Sequence, residues 1–225
     1  MATRPVFVIN QDIPHFREDN ISFIYYSGFA DSQRKKSFQS LHHEYLAIHP
    51  AAKILEVSRF SDSYLGQKLS AFNLIGETSS GKKRPVENLF QSSKVFENGG
   101  PFRDLLNVTP MAAKKDERLK SSGNLVGFNL DGESFPLIPK TFFYDWIYIN
   151  ALKGNPDIMN ELLQFNAFTD IVFNPQKSIN CQARTIAVFV SICNAGILEK
   201  CLDSKEQFAM LVYGDTLGQE QMCLF

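Results

Sequence analysis

Glu87, Gln91 and Lys94 stand at offsets of 0, 4 and 7 within residues 84–96. In a helix turning about 100° per residue, these positions fall within roughly a 60° arc. Val86, Leu89 and Phe90 occupy neighbouring directions, so the spacing predicts a polar stripe bordered by side chains that favour burial. A carboxylate, an amide and an amine on such a surface cost free energy unless they are paired or used. Used in a pocket, the carboxylate and amine are groups that exchange protons with a substrate. Paired at the surface, they are an ordinary Glu–Lys contact over an amphipathic helix. Spacing alone leaves both readings open.

The elements that must position these residues are mixed in type. Residues 5–9 and 21–26 are rich in β-branched and aromatic side chains and read as strands. Asp31-Ser32 can cap a helix from about Gln33 to Ile48, with Phe38, Leu41, Tyr45 and Leu46 at helical spacing and Pro50 as its stop. Residues 53–60 alternate enough for a third strand. A hairpin over residues 69–84, with a polar, Gly-bounded tip, should deliver the chain into the Glu87 helix. Gly76 and Gly81-Lys82 have phosphate-loop-like spacing, but Lys83 stands where a Ser or Thr should hold magnesium, which argues against nucleotide-triphosphate hydrolysis. Gly99-Gly100-Pro101 breaks the chain after the Glu helix. Asp131-Gly132 reads as a hairpin turn and residues 141–153 as a helix. Asn155-Pro156-Asp157 opens another helix, and a long final helix covers about Cys181 to Leu202. There is no internal repeat and no Gly/Pro/Ser linker near residue 60.

Composition narrows the class. The 225 residues are 44% hydrophobic and include 20 Phe, enough for a packed aromatic core, so a disordered chain is excluded. The formal charge of −1 announces no global nucleic-acid binder, although Lys82, Lys83 and Arg84 abut the Glu helix and Lys114, Lys115, Arg118 and Lys120 cluster beyond it. Cys181, Cys193, Cys201 and Cys223 have no ligand spacing and read as reduced core thiols. His42-His43 read as exposed helix residues, not metal ligands. Trp146, the single Trp, is either a core anchor or a platform for a planar ring. No apolar stretch of 18 residues and no signal-like start occur, so the expectation is a soluble, cytoplasmic protein with no membrane partner.

Residues 84–96 resemble the central motif of the NADAR family, a Ser-Val-Glu-His-x-x-Gln-x-x-Lys-Phe-type run that opens a helix lining an ADP-ribose pocket. Val86-Glu87, Gln91, Lys94 and Val95-Phe96 stand at matching places, with Asn88 for the usual His and Pro85 for the usual Ser. Residues 69–74 resemble the family's Leu-Ser-Asn-Phe segment, and residues 109–114 its Ser/Thr-Pro-x-x-Ala-Lys segment. Tyr144-Asp145-Trp146, with Met159 and Leu162-Leu163, resembles its Asp-Trp helix and the run after it. The family's acidic and Trp-Gly ending is replaced by residues 177–184. This departure resembles the branch partnered with DNA-guanine ADP-ribosylating toxins.

The resemblance implies an α+β fold, predominantly helical, with a small β-sheet. It suggests a NADAR-like catalytic domain at residues 63–225; residues 1–62 lie outside the resemblance, and their own pattern, with no linker near residue 60, reads as a β-β-α-β extension packed on the same core. It further implies an N-glycosidase that removes ADP-ribose from ADP-ribosylated guanine in DNA, an antitoxin-like or anti-defence role with a toxin counterpart. Glu87, Lys94 and Asp145 would be catalytic. Ser70, Phe72, Asn73, Arg84, Gln91, Lys114 and Trp146 would bind the ADP-ribose-containing substrate, with no cofactor and no metal. Two alternatives stay open: cleavage of a small riboflavin-pathway or NAD-derived metabolite, and a non-catalytic module that binds ADP-ribose or a nucleotide.

Overall fold

A computed structural model describes residues 1–28 and 30–214. Cys223 lies outside the described residues. The elements begin with β1 (Ala2–Ile9), β2 (Phe16–Phe23), α1 (Asp31–Ile48), β3 (Ile54–Glu56) and α2 (Tyr64–Lys68). They continue with β4 (Ile75–Glu77), β5 (Lys83–Pro85), α3 (Val86–Ser92), β6 (Lys94–Phe96), a 3-10 turn (Arg103–Asn107), α4 (Pro110–Lys115) and α5 (Arg118–Ser121). Then come β7 (Leu125–Leu130), β8 (Glu133–Phe135), α6 (Phe142–Lys153), α7 (Pro156–Leu162), β9 (Ala167–Thr169), α8 (Gln182–Asn194), α9 (Leu198–Cys201) and α10 (Lys205–Tyr213). The architecture is α+β. Two compact units emerge, one of Met1–Ser70 with Asp157–Gly214, the other of Ala71–Pro156.

The first unit is built on a four-stranded sheet of order β2-β1-β9-β3. β1 and β2 pair antiparallel from Ala2↔Phe23 to Ile9↔Phe16. β9 runs antiparallel to β1 and parallel to β3, so a strand from the later part of the chain completes a sheet begun by the earlier part. α1 buries Phe38, Leu41 and Tyr45, the stripe that the helical spacing predicts, against Val6, Ile21 and Phe23. β2 begins at Phe16, ahead of its hydrophobic run at residues 21–26, and stops at Phe23, while β3 covers only residues 54–56 of the expected 53–60. The long final helix is also corrected. α8 ends at Asn194 because Gly196 takes a left-handed φ of 69°, with Gly196 N–H donating to Cys193 O (2.9 Å) and Ile197 N–H to Ile192 O (3.1 Å). These are the two bonds of a Schellman cap, a conformation glycine adopts without a Cβ penalty. Cys181 precedes α8 as a buried free thiol, and Cys201 is buried on α9.

Two side chains at the β3–β9 pairing depart from a plain hydrophobic core. Glu56 is buried and accepts from Ser58 Oγ (2.7 Å), Thr169 Oγ1 (2.7 Å) and Ile171 N–H (2.9 Å). Thr169 Oγ1 accepts in turn from His42 Nε2 (2.8 Å). His42 is therefore part-buried and bonded rather than an exposed helix residue, and burial pushes its pKa down to about 4.

The second unit leads the chain directly into the Glu helix. β4 and β5 form the expected hairpin, Ile75↔Pro85 to Glu77↔Lys83. Val86 N–H donates to Leu74 O and Glu87 N–H to Ala71 O, both at 2.9 Å, so the first turn of α3 is anchored to the turn that precedes the hairpin, where the resemblance suggests an entry strand. All seven residues of α3 are buried. The helix stops at Ser92, not near residue 96. The Ser92 and Ser93 hydroxyls bond back to Leu89 O, Ser93 O accepts from Asn129 N–H, and Lys94 pairs with Phe128 as the first residue of β6. β7 and β8 turn on Asp131-Gly132, both at positive φ, as a two-residue hairpin of this composition requires. Phe90, Phe128, Phe135 and Phe143 pack ring to ring beneath this sheet, with Phe128 and Phe143 stacked at 4.5 Å.

Burial, reinforced by Asp170, holds the Glu56 carboxyl up at about 8. A raised folded-state pKa stabilises the fold fully below the unfolded value of about 4.5 and loses that contribution as pH rises through about 8. Thermal melts of wild type relative to Glu56→Gln should therefore show the wild type losing ground between those limits. A constant offset across the range would contradict this.

Candidate active site

Glu87, at the start of α3, is only 6% exposed, and its carboxylate is held from two sides. Gln91, one turn on, donates Nε2 to Glu87 Oε1 at 2.8 Å. Lys114 Nζ, from α4, lies 3.9 Å from the same oxygen and 5.2 Å from the ring centroid of Phe72. Lys94 reaches the group from β6 instead of the helix, with Nζ 4.8 Å above the Phe90 ring. Burial lowers the Lys94 pKa; the nearby Glu87 charge opposes that shift and the Lys114 charge adds to it. Glu87 and Gln91 thus pair directly, whereas Lys94 stands on a strand, not on a continued helical face, and is linked to Glu87 through charge.

What places Lys114 is a residue that motif reading passed over. Asn88 is fully buried and donates Nδ2 to Leu105 O (2.7 Å) and Val108 O (2.9 Å), holding the 3-10 turn and the following residue against α3. The next residue, Thr109, caps α4 by accepting from Ala112 N–H (3.3 Å), and Pro110 occupies the first turn. Lys114 is in the last turn of that short helix. The signal was present in the sequence as the polar residue beside Glu87, where the family motif carries His.

The other expected site residues divide. Phe72 is half-buried under Lys114, and Asn73 is exposed two residues after the Ala71 carbonyl that receives Glu87 N–H. Ser70 is buried at the end of the first unit. Asp145 is fully buried on α6, which packs against α3. Arg84 donates Nε to Leu106 O (2.7 Å), Nη1 to Lys83 O (2.8 Å) and Nη2 to Asn107 Oδ1 (2.9 Å), so its guanidinium braces the hairpin against the 3-10 turn. Trp146 instead lines a separate cavity of about 740 Å³ with Glu77, Glu133, Phe135, Asn150 and Asn155, a wall that none of Glu87, Gln91, Lys94 or Lys114 joins. The downstream basic cluster is largely neutralised, since Arg118 pairs with Asp104 and Asp116, and Lys120 with Glu117. At the hairpin tip, Gly81 N–H donates to Thr78 O, Lys82 N–H to Thr78 Oγ1 and Ser79 N–H to Asp131 Oδ2, so these amides do not form a phosphate cradle.

Compared with known families, residues 2–222 match the DarT1-associated NADAR antitoxins. The chain belongs to this antitoxin family. The match spans nearly the whole sequence and includes the first 60 residues, which lie outside the short motifs that carry the resemblance. No curated protein matches the chain. Among the described residues of this NADAR antitoxin, no helix is long and apolar enough to cross a membrane.

The electrostatics around Lys94 make opposite predictions for its two charged neighbours. Removing the cation in Lys114→Met should raise the Lys94 pKa, and removing the anion in Glu87→Gln should lower it further. An NMR titration of the Lys94 side chain in each variant measures both. Shifts of the same sign, or none, would show that the three groups do not form one electrostatic unit.

Proposed function

We propose that this protein is an N-glycosidase that removes ADP-ribose from ADP-ribosylated guanine in DNA, reversing the modification made by a toxin counterpart. The observation that carries the reading is the buried Glu87 carboxylate, hydrogen-bonded by Gln91, paired with Lys114 and linked through charge to the half-buried amine of Lys94. The family's description as a toxin-associated antitoxin supports the biological role.

In this reading the reacting atom is C1 of the ribose attached to guanine. The C1–N bond breaks, its electron pair goes to the guanine nitrogen, and that nitrogen takes up a proton. C1 acquires oxocarbenium character, which the Glu87 carboxylate stabilises while accepting a proton from the water that adds to C1. Lys94 has two uses compatible with its lowered pKa. As an ammonium it protonates the departing nitrogen. As a neutral amine it attacks C1 and displaces guanine to give a glycosylamine; the C1–O4 bond then opens, the ring oxygen taking up the proton lost from the amine, and water hydrolyses the resulting imine to ADP-ribose and free Lys94. Asp145 is the second carboxylate, positioning a sugar hydroxyl or relaying protons. A carboxylate and an amine suffice for these steps without a metal, and the setting is cytoplasmic.

The test is release of ADP-ribose from a guanine-modified oligonucleotide, followed by chromatography beside unmodified and thymine-modified controls. Glu87→Gln should abolish turnover while retaining ADP-ribose binding, and Lys94→Ala should also cut turnover strongly. Loss of a catalytic acid or base commonly costs about 10²–10⁴-fold. If the imine forms, borohydride should trap ADP-ribose on Lys94. Near-normal rates in both variants, with only a lower melting temperature, would make the cluster structural. Cleavage of a free nucleotide with the modified guanine left intact would replace DNA by a small metabolite as substrate.

A further inference from the structure

Gln91 is 6% exposed, and its two amide atoms have different fates. Nε2 donates to Glu87 Oε1, whereas Oε1 is buried with no hydrogen-bond partner among the described residues. Exchanging the two atoms would not relieve this, because it would set one acceptor against another at the carboxylate. A buried carbonyl oxygen without a donor is costly, and groups of this kind in a folded protein call for an explanation. The amide is fixed by the bond to Glu87, so the orphaned oxygen is held in place beside the carboxylate. A ligand donor there would satisfy it.

The proposed reaction, on which this inference rests, says which donor that is. With C1 of a ribose at Glu87, the nearest donor on the sugar is the hydroxyl on C2, one bond away. Hydrogen bonds to that hydroxyl strengthen as positive charge develops at C1. We infer that Gln91 Oε1 accepts a hydrogen bond from the 2-hydroxyl of the ribose whose C1 lies at Glu87. The consequence is selectivity between two bonds of one substrate. ADP-ribosylated guanine in DNA carries an N-glycosidic bond to ribose and another to the 2-deoxyribose of the strand. Only the first sugar has the donor that Gln91 needs, so the modification is removed and the nucleoside is left whole. The Glu87 side chain is 8% exposed beneath Lys114, itself 54% exposed, so the entering ribose displaces the flexible Lys114 side chain from Glu87.

Calorimetric binding of ADP-ribose and of its analogue lacking the 2-hydroxyl on the distal ribose tests this on the unaltered protein. Wild type should prefer ADP-ribose by about three- to tenfold, the range of one net hydrogen bond. Gln91→Leu and Gln91→Met, either of which suffices if the other fails to fold, should bind both ligands alike. A Gln91 that merely orients Glu87 would be blind to the ligand's hydroxyl. Equal binding by wild type, or a preference that survives in the variants, overturns the inference. Turnover of guanine-modified DNA, measured in parallel, separates the two readings. Release of ADP-ribose with no hydroxyl preference sinks the inference alone, and a hydroxyl preference without release sinks the proposed reaction alone. If ADP-ribose does not bind at all, both fall.

Discussion

A carboxylate buried on a helix with no solvent face is the constraint around which the second unit is arranged. Every residue of α3 is buried and the Glu87 side chain is only 8% exposed, so most of its partners must come from protein. Gln91 and Lys114 meet it directly. The turn before the hairpin accepts from the first α3 amides, Asn88 holds the 3-10 turn, and the capped helix that follows supplies Lys114. Lys94 arrives on a strand whose pairing ends the helix. The result is a carboxylate that acts on two amines in unlike settings, the exposed Lys114 at 3.9 Å and the half-buried Lys94 through its charge. Burial lowers the pKa of the half-buried one, Lys94.

Glu56 in the first unit shows what a buried carboxylate looks like in another setting. Three donors converge on it, a histidine made neutral by burial stands behind Thr169, and Asp170 adds repulsion. No hydrogen-bond acceptor of that group is left open in the way Gln91 Oε1 is. The Glu56 cluster links β3, β9 and α1, so its titration is read in stability.

Local pattern carried much of this structure. The α1 stripe, the β4–β5 hairpin, the Asp131-Gly132 turn and the α6 helix follow from periodicity and turn chemistry that neighbouring residues supply. The errors arise where distant residues decide. β7 draws Lys94 into a strand, against a helical spacing that continues past it. The Gly196 cap ends α8 inside an apolar run, a signal that was local and visible but outweighed by the run itself. His42 meets Thr169, 127 residues away, a partner no spacing rule could name. At the site, the order of Glu87, Gln91 and Lys94 was legible, whereas the role of Asn88 needs the 3-10 turn it holds. Trp146 was readable as either a core anchor or an aromatic platform, and its adjacency to Asp145 in sequence does not put the two on one cavity wall.

The central claim is that the Glu87–Gln91–Lys94 cluster, and not the cavity beside Trp146, receives the sugar. A crystal structure of the protein with ADP-ribose decides this most directly. It should show the distal ribose with C1 against the Glu87 carboxylate, its 2-hydroxyl on Gln91 Oε1 and the Lys114 side chain moved aside. ADP-ribose bound along Trp146, Asn150 and Glu77, with Glu87 still covered by Lys114, would contradict it.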